Sequence, residues 1–170
     1  NIILKSHAKV NLFLKVGKNL KNRKLHNIQS LIFLLDLNDK IIVKQNNQAT
    51  DKVKFYGRFS KNVSRSNSVD KCLSLLRKKG FLDKKVGYKI TVKKNIPVFS
   101  GFGGGSSNAA TIIKYFYKKR KIIDNDINYF ARYLGSDFKI FFKSNKIIQE
   151  NFLKIKNLKF KHNFYLLIVY

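Results

Sequence analysis

The sequence predicts a single domain that contains both strands and helices, and three observations support this class. The chain has 170 residues, of which 44% are hydrophobic, a length and composition suited to one packed domain. Apolar residues alternate with polar ones in several short segments, as in half-buried strands, and recur at helical spacing in others. Four of the nine glycines lie between Gly101 and Gly105, where a predicted strand is followed by a predicted helix.

The predicted elements follow one another along the whole chain. Strands are predicted at residues 2–4, 11–16, 41–44, 53–59, 86–92, 146–150 and 164–169. A first helix is predicted to begin at Ser66 and to end at Gly80, with Cys72 on its buried face. A second helix follows the glycines, and a third is predicted to begin with Asp124 as its N-cap. Because Cys72 is the single cysteine, a disulfide framework and a cysteine metal cluster are both excluded.

The glycine-rich stretch predicts a phosphate-binding loop. Glycines let the backbone approach an anion closely, and free N–H groups at the start of a helix point toward it along a favourable dipole. Ser106 and Ser107 add hydroxyl donors, and either is a candidate N-cap of the helix. A P-loop would need Lys-Ser or Lys-Thr after Gly105, a dinucleotide-binding loop would need glycine at position 106, and a protein kinase would need His-Arg-Asp and Asp-Phe-Gly; the sequence has none of these.

Residues 96–110 resemble the central motif of the GHMP small-molecule kinases, in which Pro and a short spacer precede Gly-Leu-Gly-Gly-Gly-Ser-Ser. The resemblance implies an α+β fold over residues 1–170, the N-terminal domain of that family, with a mainly antiparallel sheet and helices packed on one face. It also implies ATP and Mg²⁺ as ligands, with Ser106 and Ser107 nearest the metal. Asn67 fits a family contact to adenine and equally fits a helix N-cap. The implied nucleotide-binding residues are Asn67, Lys94, Pro97, Gly101, Gly103, Gly104, Gly105, Ser106 and Ser107.

Two further segments resemble one branch of this family, which phosphorylates the 2-hydroxyl of 4-diphosphocytidyl-2-C-methyl-D-erythritol in the non-mevalonate route to isoprenoids. Residues 8–14 match the Ala-Lys-x-Asn-Leu-x-Leu of that branch, and residues 134–142 resemble its Leu-Gly-Ala-Asp-Val-Pro-Phe-Phe. The resemblance implies that Lys9 lies beside the substrate hydroxyl, that Asn11 helps to hold the substrate, and that Asp137 is the general base.

The chain also departs from the pattern of that branch. His26 matches a histidine expected to contact cytosine, but Leu25 replaces the tyrosine before it and removes a stacking face. Phe99 stands where the family has glycine in the loop, and a bulky side chain there is expected to crowd the nucleotide. Lys139 replaces a proline, which is expected to move the turn that carries the aspartate.

The formal net charge of +27 suggests a nucleic-acid partner, but the excess of Lys over Arg argues against one. Of the 36 basic residues, 30 are Lys, whereas proteins that bind bases and phosphates specifically favour the bidentate guanidinium of Arg. The abundance of Lys, Asn, Ile and Phe beside a single Pro and no Trp is instead typical of drift toward AT-rich codons. We therefore expect no specific nucleic-acid partner, although a positive field favours polyphosphate substrates.

The expected partner is a small-molecule substrate, and no membrane association is expected. No apolar run approaches the roughly 18–20 residues that a membrane-spanning helix needs, and the N-terminus lacks a signal-peptide pattern. These observations predict a cytoplasmic location, or a stromal one in a plastid-bearing source.

Two other functions stay open. One is another GHMP kinase, such as a homoserine kinase-like enzyme, against which Lys9, Asn11 and His26 argue. The other is a basic nucleic-acid-binding domain that keeps this fold without catalysis, which the bulky Phe99 favours. A kinase would be stabilised by ATP with Mg²⁺, and a nucleic-acid binder by RNA in a salt-dependent way.

Overall fold

A mixed sheet with α-helices packed against it forms the fold in the computed structural model, which describes residues 2–19, 26–119, 121–150, 154–159 and 163–169. The strands within these ranges are β1 (Ile2–Asn19), β2 (His26–Asn46), β3 (Lys52–Tyr56), β4 (Gly87–Lys93), β5 (Lys146–Gln149) and β6 (Ile155–Asn157). The α-helices are α1 (Ser68–Lys78), α2 (Gly104–Phe116) and α3 (Asp124–Leu134), and 3₁₀ helices cover Ser60–Asn62, Tyr117–Lys119 and Ser136–Phe142. None of the described helices is long and apolar enough to cross a membrane.

The sheet is organised around β2, which is long enough to pair with three other strands. β1 runs antiparallel along one edge of β2 over almost its whole length. Along the opposite edge, β2 pairs antiparallel with β4 through residues 40–46 and with β5 through residues 30–33. β3 adds to β4 in parallel and β6 adds to β5 antiparallel, which gives the order β3-β4-β2-β5-β6 with β1 also beside β2. The predicted mainly antiparallel sheet is confirmed.

Two long strands replace several shorter predicted segments. β1 is continuous where the sequence predicts two strands, because bulges between His7 and Lys9 and between Asn11 and Phe13 interrupt the alternation without ending the strand. The first half of β2 is not predicted as a strand at all. It pairs on both edges, and consecutive residues such as Ile32 and Phe33 are both buried, so it lacks the polar alternation that marks a half-buried strand.

The helices cover one face of the sheet, as expected from the family resemblance. The strand register places on that face the apolar side chains of Leu4, Ile41, Val43, Val53, Phe55, Ile90 and Val92. These side chains pack in one core with residues of all three helices, among them Leu73, Ile112 and Phe130. Cys72 is completely buried in this core, as predicted, and its burial raises the pKa of the thiol.

The structure corrects two predictions about secondary structure and adds one strand that was not predicted. Ile123 occupies the N-cap position of α3, so Asp124 lies in the first turn, where its charge still favours the helix dipole. The predicted strand at residues 164–169 is wrong, because residues 163–169 have no regular secondary structure. An apolar run becomes a strand only where a neighbouring strand can share its backbone hydrogen bonds. β6 was missed because its three residues include a single apolar side chain, Ile155, and show no alternation.

Candidate functional site

A cavity of about 370 Å³ lies where the glycine loop meets the start of α2. Its lining comes chiefly from the segment before α1, from the chain between Lys94 and the first turns of α2, and from Asp137. The lining includes eight residues predicted to bind the nucleotide: Asn67, Lys94, Pro97, Gly101, Gly103, Gly104, Gly105 and Ser106. The fold therefore gathers these residues around one space, and their role as nucleotide contacts stays a prediction.

The start of α2 presents backbone N–H groups at the cavity. The helix begins at Gly104, and the Ser107 N–H donates to the Gly103 carbonyl at 2.9 Å. The N–H groups of Gly104, Gly105 and Ser106 precede this first bond, so they have no partner within the helix. All three residues line the cavity, where the helix dipole adds a partial positive charge. This arrangement suits an anion such as a phosphate.

The two serines after the glycines have different surroundings, and neither caps α2. Gly103 occupies the cap position with a φ of 68°, so the predicted serine cap is wrong. The Ser106 hydroxyl donates to the Leu134 carbonyl at 3.2 Å, and Ser106 lines the cavity. The buried Ser107 hydroxyl instead accepts a hydrogen bond from the Ser6 hydroxyl at 2.8 Å. Of the two hydroxyls predicted to lie near Mg²⁺, the structure thus brings Ser106 to the cavity and not Ser107.

The loop packs so closely on two lysines that two of its glycines have no room for a side chain. A Cβ on Gly103 would lie 3.2 Å from the Lys9 Cγ and 3.0 Å from the Phe141 ring. A Cβ on Gly104 would lie 3.2 Å from the Lys94 Nζ. Both positions are tighter than ordinary van der Waals contact, so a larger residue at either one would displace a lysine side chain or the loop.

Lys94 forms a buried ion pair with Asp39 behind the loop. One Asp39 oxygen contacts the Lys94 Nζ, and the other accepts the N–H groups of Asn95 and Ile96 at 2.8 and 2.9 Å. These bonds fix the chain just after β4, where it turns into the glycine loop. Sequence reasoning gave Asp39 no role in the site. Two signals were available: an acidic residue within an apolar stretch of a chain with only nine acidic residues, and the match of residues 35–39 to the Leu-Asp-x-x-Asp of the resembling branch.

Lys9 and Asp137 come together at the cavity from opposite ends of the chain. The Lys9 Nζ lies 3.3 Å from the Asp137 Oδ2. The same Nζ donates to the Asn11 Oδ1 at 2.5 Å, and the Asn11 amide donates to the Ser30 hydroxyl at 2.6 Å. The Lys9 N–H donates to the Phe102 carbonyl at 2.9 Å, which fastens β1 to the glycine loop. Ser30, which matches the family pattern but was not predicted to belong to the site, completes this polar chain.

A short 3₁₀ helix presents the Asp137 carboxylate to the cavity. Gly135, with a φ of 105°, turns the chain after α3. Phe138, Ile140 and Phe141 are then buried in the core, while the Asp137 side chain stays 36% exposed. Lys139, which replaces the proline of the resembling branch, lies in this 3₁₀ helix two residues after Asp137, and its expected effect on the turn stays a prediction.

Asn67 both caps α1 and lines the cavity. Its Oδ1 accepts the N–H groups of Val69 and Asp70, each at 3.0 Å, so the predicted cap is confirmed. The adjacent Ser68 hydroxyl donates to the Gly105 carbonyl at 2.8 Å and ties the start of α1 to the glycine loop. The contact between Asn67 and adenine stays a prediction.

Phe99 does not fill the cavity. Phe99 is 89% exposed at the edge of the cavity, and its effect on a bound nucleotide stays a prediction. His26 belongs to β2 by its backbone, but its side chain lies outside the described residues, and so does Leu25. The predicted cytosine contact is therefore left as a prediction.

Asn108 is a further cavity residue that sequence reasoning did not single out. It is 2% exposed, and its Oδ1 has no hydrogen-bond partner among the described residues. A buried amide oxygen without a donor costs free energy unless a ligand or water supplies one. Because Asn108 lines the cavity, it is a candidate contact for whatever binds there. No group of three or more His, Cys, Asp or Glu that could hold a metal ion occurs within the described ranges.

Residues 67–143 match the family model described as the GHMP kinases N terminal domain. The 4-diphosphocytidyl-2-C-methyl-D-erythritol kinase of Pelagibacter ubique is 41% identical over 167 residues, which cover 97% of this chain and 58% of that protein. The enzyme of the same name from Thermotoga maritima is 36% identical over 139 residues, which cover 81% of this chain and 48% of that protein. The chain therefore spans about half the length of the curated relatives it matches.

Solved structures show the same fold. A 4-(cytidine 5'-diphospho)-2C-methyl-D-erythritol kinase superposes with a TM-score of 0.71 at 26% identity, over 92% of this chain and 55% of that one. The homoserine kinase of Cytophaga hutchinsonii superposes with a TM-score of 0.63 at 13% identity, over 92% of this chain and 51% of that one. At that identity the homoserine kinase shares the fold alone.

Proposed function

Because residues 67–143 match the model of the GHMP kinases N terminal domain, we propose that this chain forms the nucleotide-binding part of an ATP-dependent small-molecule kinase. The proposed acceptor is the 2-hydroxyl of 4-diphosphocytidyl-2-C-methyl-D-erythritol, the compound in the names of its relatives. The product would be the 2-phosphate, an intermediate of the non-mevalonate route to isoprenoids. The observation that carries this proposal is the contact between Lys9 and Asp137 beside the first turn of α2.

The backbone at the start of α2 would hold the phosphates of ATP. Phosphoryl transfer leaves little covalent chemistry to the protein, which must position the two reactants and neutralise charge. The N–H groups of Gly104, Gly105 and Ser106 are available donors at a helix start, where the dipole favours an anion. Lys94 lies behind Gly104 and adds positive charge, although its buried pairing with Asp39 reduces that effect.

The oxygen donors of the cavity fit a Mg²⁺ ion held mainly by the nucleotide. Mg²⁺ prefers oxygen ligands and is commonly bound through one or two protein groups together with substrate phosphates and water. The Ser106 hydroxyl is the protein group that would hold it. When bound, the ion would neutralise charge on the phosphates.

Asp137 would take the proton from the acceptor hydroxyl. Its carboxylate is partly exposed at the cavity, so a substrate oxygen can reach it. The Lys9 ammonium lies 3.3 Å from the Asp137 Oδ2 and would stabilise negative charge on the attacking oxygen. Asn11 and Ser30 hold the Lys9 ammonium in place through the hydrogen bonds described above.

The test is steady-state kinase activity of the full-length protein with 4-diphosphocytidyl-2-C-methyl-D-erythritol, ATP and Mg²⁺. We expect turnover by the wild-type protein and a loss of about 10²–10⁴-fold in kcat for Asp137→Asn, the usual contribution of a general base. ATP affinity is expected to change little, because the phosphates are held elsewhere. Asp124→Asn, at an exposed aspartate outside the cavity, is the control and should keep wild-type activity.

Two results would contradict the proposal. Wild-type turnover in Asp137→Asn would leave the reaction without its base. Phosphorylation of homoserine in place of the cytidylyl substrate would assign the chain to another branch of the family.

A further inference from the structure

Phe99 combines a strained backbone with a side chain that packs against almost nothing. Among the described residues it is the one non-glycine residue with positive φ, at 61°. The left-handed region is unfavourable for a bulky side chain, and such strain persists only where the surrounding structure imposes it. Its side chain is nevertheless 89% exposed, so burial of the phenyl ring in the core does not explain the conformation.

The turn around Phe99 is closed and therefore fixes the position of the Phe99 backbone. Pro97 has a fixed φ, and the Ser100 hydroxyl donates to the Pro97 carbonyl at 2.8 Å. Gly101, with a φ of 78°, completes the bend toward α2. The backbone of the turn thus carries the phenyl ring at the edge of the cavity in the absence of a ligand.

The lining of the cavity has two chemically different parts. One part is the backbone at the start of α2, which suits an anion. The other part is apolar and includes the side chains of Phe55, Val63, Val98 and Phe99. A nucleoside triphosphate has matching parts, an anionic tail and a flat base whose faces are apolar. With the phosphates at the helix start, the base is left to the apolar part.

We propose that Phe99 is a base-stacking residue that binds the nucleobase of the donor nucleotide; this rests on the proposed function of the same cavity. The exposed ring offers a free face to a planar base, and binding would cover apolar surface that is now in water. Every nucleobase has a π-face, so stacking of this kind raises affinity without choosing between adenine and guanine. Phe99 then contributes to affinity, and selection of the base is left to polar contacts.

The test compares ligands that have a base with one that has none. Phe99→Gly removes the ring and relieves the positive φ, so the variant is expected to fold at least as stably as the wild-type protein. From the usual contribution of base stacking, we expect its affinities for ATP and GTP to fall by roughly 5- to 100-fold. The factor should be similar for the two nucleotides. Its affinity for inorganic tripolyphosphate is expected to stay unchanged. Tyr133→Gly, at an exposed aromatic residue outside the cavity, is the control and should change none of the three affinities.

A second variant detects stacking directly. The 170 residues contain no Trp, so Phe99→Trp introduces a fluorophore at the proposed contact. ATP is expected to quench its fluorescence, and tripolyphosphate is expected to leave it nearly unchanged. Tyr133→Trp measures the background response of an exposed indole elsewhere on the chain.

Each alternative outcome has a separate meaning. Unchanged ATP affinity in Phe99→Gly would overturn the stacking assignment. An equal loss of affinity for ATP and tripolyphosphate would also overturn it, because it would indicate a disturbed loop. If the wild-type protein binds neither ATP nor tripolyphosphate, the proposed function fails, and the assignment of Phe99 fails with it.

Discussion

Two lysine–aspartate pairs contact the glycine loop, and water reaches them to different extents. The side chains of Lys94 and Asp39 are 4% and 0% exposed, and the two Asp39 oxygens already have three nitrogen donors. In the other pair the Lys9 side chain is 8% exposed, but the Asp137 side chain is 36% exposed at the cavity. Each lysine lies beside one of two consecutive glycines, Lys9 beside Gly103 and Lys94 beside Gly104.

Under the proposed function, environment and not residue type separates a structural pair, Lys94 with Asp39, from a reactive pair, Lys9 with Asp137. Both Asp39 oxygens already bond nitrogen atoms at the end of β4, so this pair holds the chain that leads into the loop. The Asp137 carboxylate is open to the cavity and has room for another group. The proposed function needs both pairs at one site, because a base is useful only where the loop has placed the phosphate.

The largest expected effect breaks the reactive pair. Lys9→Ala is expected to lower kcat of the full-length protein by about 10²–10⁴-fold, as Asp137→Asn does. The double variant should be little slower than either single one, because groups that act as a unit are not additive. Lys93→Ala removes an exposed lysine of β4 and serves as the control, with activity close to wild type. Losses that multiply in the double variant would mean that Lys9 and Asp137 act independently.

The next effect breaks the structural pair. Asp39→Asn leaves the Lys94 ammonium buried without its counter-charge and is expected to lower the free energy of unfolding by about 3–5 kcal/mol. Asp137→Asn, in the more exposed pair, is expected to change it by about 1 kcal/mol or less. Urea denaturation followed by circular dichroism measures both values. The Asp39→Asn, Lys94→Gln double variant should recover part of the stability lost in Asp39→Asn. Equal losses in Asp39→Asn and Asp137→Asn would remove the distinction between the pairs.

A third change acts on the loop that lies between the pairs. Gly104→Val adds a side chain toward the Lys94 Nζ and the Ile96 side chain, and it is expected to abolish ATP binding. Crowding of this kind typically costs about 1–3 kcal/mol of stability, so the variant should remain largely folded. Isothermal titration calorimetry with ATP and Mg²⁺ measures the binding. Thr111→Val, later in the same helix and outside the cavity, is the control and should keep wild-type ATP affinity. Unchanged ATP affinity in Gly104→Val would exclude a phosphate site at this helix start.

The smallest expected effect concerns the lysines that belong to neither pair. If most of the +27 charge results from drift toward AT-rich codons, RNA binding should be weak and independent of RNA sequence. It should be lost between about 50 and 200 mM salt. Fluorescence anisotropy with labelled RNAs of different sequence measures this. Tight, sequence-selective binding at physiological salt would show that the surface charge has a dedicated partner.

The sequence predicted the parts of the site that lie close together along the chain. The glycine loop, the helix after it and the cap at Asn67 follow from local rules about backbone freedom and unpaired N–H groups. The family motifs added Lys9 and Asp137, which no local rule would have paired. The structure places their side chains in contact.

The parts that were missed depend on contacts between distant segments. Asp39 matters because its oxygens meet the end of β4, and Ser30 matters because β2 lies beside β1. Neither contact leaves a trace in the spacing of nearby residues. The same reason explains the first half of β2, whose burial depends on strands at both edges.

The hydrogen bond between the Lys9 N–H and the Phe102 carbonyl has a consequence for how the protein is made. The strand that carries Lys9 leaves the ribosome long before the glycine loop and the 3₁₀ helix Ser136–Phe142 that holds Asp137. Contacts between distant segments form late, since the intervening chain must first be ordered. A growing chain is therefore expected to acquire nucleotide affinity only after the residues of that 3₁₀ helix have emerged, when the loop can settle against a strand synthesised much earlier.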